Sequence, residues 1–147
     1  MVAWVRSEMT DEPLSTLLRV FVYGSLKPGG FYYDRYCAGK VIKAQPAIVP
    51  GCLYGLPMGY PAMTEGAGTV HGVLLTFNDF GVLDNLDELE GYDPDLPSYE
   101  NEYERRWLEV FDSKGESLGS AWAYVMKQQQ AEQLGGTLIP KGNWQPS

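Results

Sequence analysis

Hydrophobic positions in this chain fall mostly into short extended runs, and glycine and proline punctuate them. The strongest run is Val20-Phe21-Val22-Tyr23, β-branched and aromatic, which predicts a buried strand. It stops at Gly24 and passes into a loop, Ser25-Leu26-Lys27-Pro28-Gly29-Gly30. A glycine at that exit suits backbone dihedrals other residues avoid, so the N–H groups of Gly24, Ser25 and Leu26 are expected to face one concavity. The same order of strand, glycine and hydroxyl also describes an ordinary β-turn. Phe31 to Lys43 suggests one or two helical turns before Val41-Ile42 extends again. Between Ile48 and Met63, Pro50-Gly51, Gly55, Pro57, Gly59 and Pro61 predict short, interrupted strands that suit a small, strongly bent barrel. Thr69 to Phe77 reads as a strand with Val73, Leu75 and Phe77 on one face. Arg106 to Phe111 and Ala121 to Met126 read as two more strands, and Gln128 to Leu134 as a short helix.

One segment follows the helical period. From Phe80 to Glu90, with Asn78 and Asp79 as N-cap candidates and Gly91 as the stop, Leu83, Leu86 and Glu90 recur at i, i+3 and i+7. Glu90 therefore falls on the apolar face, whereas Asp84, Asp87 and Glu88 are assigned to solvent. A carboxylate on an apolar face is costly unless it is used. Burial, the negative helix end and the acids Asp87 and Glu88 are each expected to raise its pKa, which would make it a base near neutrality. A glutamate that snorkels outward, or that bonds the next loop, fits the same spacing.

Composition narrows the function classes. The 147 residues are enough to bury a core without disulfides or a structural metal, and the glycines and prolines favour a β-rich fold with few helices. Nineteen acidic against eleven basic residues give a net charge of −8, and no basic cluster offers phosphate contacts. Nucleic acid and membrane are accordingly excluded as expected partners. Residues 1–18 carry Glu8, Asp11 and Glu12 among their apolar positions, so they read as a loosely packed leader ahead of one domain over 19–147, in a cytoplasmic protein. Cys37 and Cys52 read as idle thiols, and the lone His71 has no partners at metal-ligand spacing, so no metal is expected.

Taken in order, several stretches resemble the gamma-glutamylcyclotransferase-like family, in particular its short branch named for avirulence-induced proteins; gamma-glutamylamine cyclotransferase is a similar relative. They are Phe21-Val22-Tyr23-Gly24-Ser25-Leu26, Tyr60-Pro61-Ala62, Gly72-Val73-Leu74, Leu86-Asp87-Glu88-Leu89-Glu90-Gly91-Tyr92, Tyr103-Glu104-Arg105-Arg106, Ala123-Tyr124-Val125, and Ile139-Pro140 with Gly142-Asn143-Trp144. The resemblance implies an α+β fold, a small mixed β-barrel with peripheral helices and a cavity at one mouth. It implies a small-molecule gamma-glutamyl substrate held by Tyr23, Gly24, Ser25 and Leu26, Glu90 as acid/base, release of 5-oxoproline, and no cofactor. Tyr103 and Tyr124 join Tyr23 as candidates to wall the cavity. The loop Tyr92–Glu102 is longer and more acidic than this branch leads one to expect, and Asp93, Asp95, Glu100 and Glu102 are expected to form a rim favouring cationic amines. Two other readings use the same residues: a serine hydrolase built on Ser25 and His71, which lacks the glycine pattern of a nucleophile elbow, and a binding or regulatory protein that keeps the cavity without chemistry.

Overall fold

The computed structural model of the chain describes residues 17–144. Strand β1 (Leu18–Val22) leads through a tight loop and one helical turn, α1 (Tyr33–Tyr36), to two long strands, β2 (Val41–Gly55) and β3 (Pro61–Phe77). Helix α2 (Gly81–Leu89), a 3-10 turn at Ser98–Glu100, β4 (Glu104–Phe111), β5 (Ser117–Val125), helix α3 (Gln128–Gln133) and the short strand β6 (Thr137–Leu138) follow. The strands form one mixed six-stranded sheet in the order β3-β1-β5-β4-β2-β6. Among the described residues its one parallel pairing joins β1 to β5, with Val20 opposite Trp122. Strands β2 and β3 also pair with each other, and β4 touches β2 at Ile48 and Phe111, so the sheet curls back on itself. This is the mixed, barrel-like α+β architecture the sequence led us to expect.

Alternation along the strands sorts side chains between two cores. Phe21, Val49, Leu74, Val110 and Ala123, all from strands, pack with one another inside the curl. Leu18, Val20, Val22, Leu75 and Phe77 point the other way and bury Val82 and Leu86 of α2 and Ala131 of α3. The face predicted for Val73, Leu75 and Phe77 is the helix-covered one.

Three expectations are corrected. Strand β1 starts at Leu18, which is fully buried, so the last residue of the expected leader lies in the sheet; residues 1–16 lie outside the described residues. The punctuated stretch from Ile48 to Met63 is not a set of short strands, because β2 and β3 are the 15- and 17-residue arms of one hairpin. Pro50-Gly51 marks a register shift inside β2, and glycine is required there since a Cβ would meet the Thr64 carbonyl oxygen at 2.8 Å. Finally, Asp87 does not face solvent: its side chain is 13% exposed and is held from the neighbouring sheet, as described next.

Candidate active site

Strands β1 and β5 end at the same edge of the sheet where β3 begins, and a cavity of about 360 Å³ opens there. Its wall contains the loop Tyr23 to Leu26, Glu90, Tyr103 and Tyr124. All six residues singled out from the sequence beside Glu90 therefore line the one space that Glu90 lines.

Local chemistry puts Glu90 there. It is the C-cap of α2, and Gly91 follows with φ 67°, a left-handed conformation that glycine adopts cheaply. The Tyr92 N–H donates to the Asp87 carbonyl at 2.9 Å and the Gly91 N–H to the Glu88 carbonyl at 3.3 Å, the paired bonds of a Schellman ending. The turn thus fixes where the chain leaves the helix, and the side chain of its last residue enters the cavity half-buried. Burial, and secondarily the charge of Glu102, raise its pKa from 4.5 to about 7. The acids expected to do this from within the helix do not: Glu88 is exposed, and Asp87 is engaged elsewhere. Asp87 accepts from the Tyr124 hydroxyl at 2.6 Å and pairs with Arg105 at 3.2 Å. The Arg105 guanidinium is in turn stacked on Trp122, 4.5 Å from the ring centre, so the end of α2 is tied to β4 and β5 behind the cavity wall.

The tyrosines wall the cavity, and their hydroxyls are committed to the scaffold. Tyr23 donates to the Tyr124 carbonyl at 2.7 Å and accepts from the Met63 N–H at 3.1 Å; Tyr103 donates to the Pro61 carbonyl at 2.7 Å. Burial raises the pKa of all three, so they stay neutral. None of these bonds is made to Glu90.

Gly24 is required for a different reason from the one read in the sequence. Its φ is not positive; instead a Cβ at this position would lie 2.7 Å from Cγ of Pro61, so the loop packs directly against the start of β3. The left-handed glycine in the loop is Gly29, with φ 86°. The loop folds onto itself through the Lys27 N–H to the Gly24 carbonyl at 3.0 Å and the Tyr32 N–H to the Ser25 carbonyl at 2.9 Å. Among the described residues, no protein acceptor takes the N–H of Gly24, Ser25 or Leu26. Leu26 serves both the lining and the helix-side core, at 4% exposure.

Of the four acids expected to rim the opening, Glu102 alone lines it. Asn101 explains why: it is buried, accepts from the Asp93 N–H at 2.9 Å and donates to the Asp93 carbonyl at 3.2 Å. With the Glu102 N–H on the Gly91 carbonyl at 3.2 Å, these bonds pinch the loop off at its base and leave Asp95 and Glu100 outside. Glu102 also accepts from the Tyr60 hydroxyl at 2.6 Å, and burial together with that carboxylate pushes the phenol up to about 12. His71 is exposed and not part of the lining, so no serine–histidine pair forms. Sequence reasoning did not single out Tyr60, Phe31 or Met58 as lining residues; of the three, only Tyr60, beside the Pro61 that packs against Gly24, belonged to a stretch that carried the family resemblance.

A family profile described as gamma-glutamyl cyclotransferase, AIG2-like, matches residues 20–146. The chain belongs to that family. Among solved structures of similar fold is an AIG2-like protein of Mus musculus, 21% identical, with 88% of each chain covered and a TM-score of 0.65. The ytfP protein of Escherichia coli is 31% identical, with 86% of this chain and 96% of that one covered and a TM-score of 0.58. An Arabidopsis thaliana protein solved in solution is 28% identical over 76% of this chain and 69% of its own, with a TM-score of 0.56. No curated protein matches. Within this AIG2-like member, no helix of the described residues is long and apolar enough to cross a membrane, and no cluster of potential metal ligands occurs among them.

Proposed function

We propose that the protein is a gamma-glutamyl cyclotransferase that uses Glu90 as general acid and base. The observation that carries this reading is a half-buried carboxylate with a pKa near 7 sharing one cavity with the amides of residues 24–26, which among the described residues have no protein acceptor. In the reaction, the α-nitrogen of a gamma-glutamyl compound attacks its own γ-carbonyl carbon. A C–N bond closes the five-membered ring, the bond to the departing amine breaks, and 5-oxoproline and a free amine leave. No redox partner or second substrate is needed, because ring closure replaces one amide with another.

The site has two tasks. Holding the amine and carbonyl in attack geometry supplies up to ~7–11 kcal/mol, and the N–H groups of Gly24, Ser25 and Leu26 suit the substrate carboxylate or the developing oxyanion. The second task is proton movement. An α-ammonium has a pKa near ~8, so transfer to an ordinary glutamate is uphill by ~5 kcal/mol. With Glu90 raised to about 7, the gap narrows to one unit, ~1.4 kcal/mol. Glu90 takes one proton from the α-ammonium before attack and gives it to the leaving nitrogen; the attacking nitrogen then loses a second proton to the regenerated Glu90 carboxylate, which passes it to solvent, so the ring amide keeps one hydrogen.

The test is to incubate the protein with a panel of gamma-glutamyl amines and peptides and assay 5-oxoproline. Turnover that disappears in Glu90→Gln while ligand affinity persists supports the proposal. Ligand binding with no cyclised product from any panel member, in the presence of native Glu90, overturns it in favour of a binding protein.

A further inference from the structure

The cavity continues outward onto an apolar lip. Phe31 is 82% exposed and Met58 50% exposed, yet both belong to the cavity lining and flank its opening. Phe31 stands edge-on to Tyr32, with ring centres 4.7 Å apart, and Tyr32 also lines the cavity. Neither lip residue is needed by the core: Phe31 precedes α1, and Met58 sits in the tight turn where the Gly59 N–H bonds the Leu56 carbonyl at 3.0 Å. Isolated exposed apolar side chains are ordinary, but an exposed aromatic and an exposed thioether lining one cavity form a surface that a ligand can cover.

The electrostatics specify what kind of ligand group belongs there. Among the described residues lining the cavity there is no lysine, arginine or histidine, while Glu90 and Glu102 are both present. The loop's own cation, Lys27, is tied to the Trp144 carbonyl at 2.8 Å, and Arg105 is held by Asp87 behind the wall. A leaving amine that carries its own carboxylate finds no counter-charge here and two carboxylates to oppose it. On the same reading, the single anionic group of the gamma-glutamyl half falls to the amides of residues 24–26. A volume of about 360 Å³ also exceeds what that compact half fills.

Resting on the cyclotransferase reading above, we infer that the leaving amine carries no anionic group and bears an aromatic or large apolar substituent, which Phe31 and Met58 cover at the mouth. Phe31 is then a specificity-determining residue that acts on substrate binding, with no part in the proton transfers.

The experiment compares four substrates of the native protein: gamma-glutamyl phenylethylamide, gamma-glutamyl methylamide, a gamma-glutamyl diamine with a free distal ammonium, and gamma-glutamyl alanine. The aryl amide is expected to exceed the methylamide in kcat/KM by ~10-fold or more, through KM, as a few apolar contacts supply. In Phe31→Ala and Met58→Ala the aryl-to-methyl ratio falls toward one. An equal ratio in the native protein, a ratio that survives both substitutions, or a diamine or alanine derivative that outcompetes the aryl amide overturns the inference. Should no compound be cyclised, the reaction assignment fails separately. The lip is then tested by calorimetric Kd for the same four compounds, where a missing aryl preference refutes it and a preference lost in Phe31→Ala upholds it.

Discussion

Replacing Glu90 with Gln is expected to stabilise the protein at neutral and alkaline pH. The group titrates at about 7 in the folded chain against a reference of 4.5. The folded state therefore holds the Glu90 proton more tightly than the unfolded state, and raising the pH through this window draws the equilibrium toward unfolding. The native protein thus loses stability progressively between pH 4.5 and about 7, and the loss is complete above that range. A separation of about 2.5 units at ~1.36 kcal/mol each amounts to ~3 kcal/mol, a sizeable part of the 5–15 kcal/mol typical of a domain. A neutral glutamine of nearly equal shape never pays this ionisation penalty. Urea unfolding of both proteins from about pH 4 to about pH 8 measures the difference directly, since groups that do not interact with Glu90 titrate alike in the two and cancel. Its plot against pH should be level at the acid end, fall by ~3 kcal/mol for the native protein relative to the variant, and level again. A flat difference curve would mean that Glu90 is solvated like any surface carboxylate, and the basis for calling it a base would be gone.

Four other outcomes follow from the same geometry. The kcat/KM profile for a gamma-glutamyl substrate should be bell-shaped, with its acid limb near the Glu90 value of about 7 and its alkaline limb near the substrate ammonium, ~8; a plateau extending down to about pH 5 would contradict it. Glu102→Gln removes the charge that opposes ionisation of Glu90, so the acid limb should move to lower pH, and an unmoved limb would show that burial alone sets it. Gly24→Ala forces a methyl to within 2.7 Å of Pro61, which should cost ~1–3 kcal/mol in thermal unfolding and raise KM as the loop shifts. Tyr124→Phe leaves the Asp87 carboxylate with Arg105 but without its 2.6 Å donor; a loss of ~1–3 kcal/mol is expected by urea unfolding.

Much of this molecule could be read before its fold was known, for reasons that are local. Strand β1 is visible because four consecutive β-branched or aromatic residues have few other conformations available, and α2 because its period and its terminal glycine are properties of neighbouring residues. The position of Glu90 on the apolar face followed from spacing alone, and the ordered family stretches joined it to the loop after Tyr23. Errors arose where a residue's role depends on a distant segment. Gly24 looked like a dihedral requirement, but the constraint is the ring of Pro61, 37 residues later. Asp87 looked solvated because its partners, Tyr124 and Arg105, come from strands the helix period says nothing about. Prolines and glycines between Ile48 and Met63 looked like strand ends, whereas pairing along two long arms absorbs them as a bulge and a turn.

Short-range patterning thus specified most of the strand segments, the amphipathic helix, and which carboxylate falls on that helix's apolar face. What that patterning does not carry is electrostatic environment, because charges act through space and not along the chain. That Glu102 rather than Asp87 or Glu88 opposes the Glu90 charge, that the other loop acids are excluded by the Asn101 clasp, and that Phe31 and Met58 line one cavity are all results of chain closure.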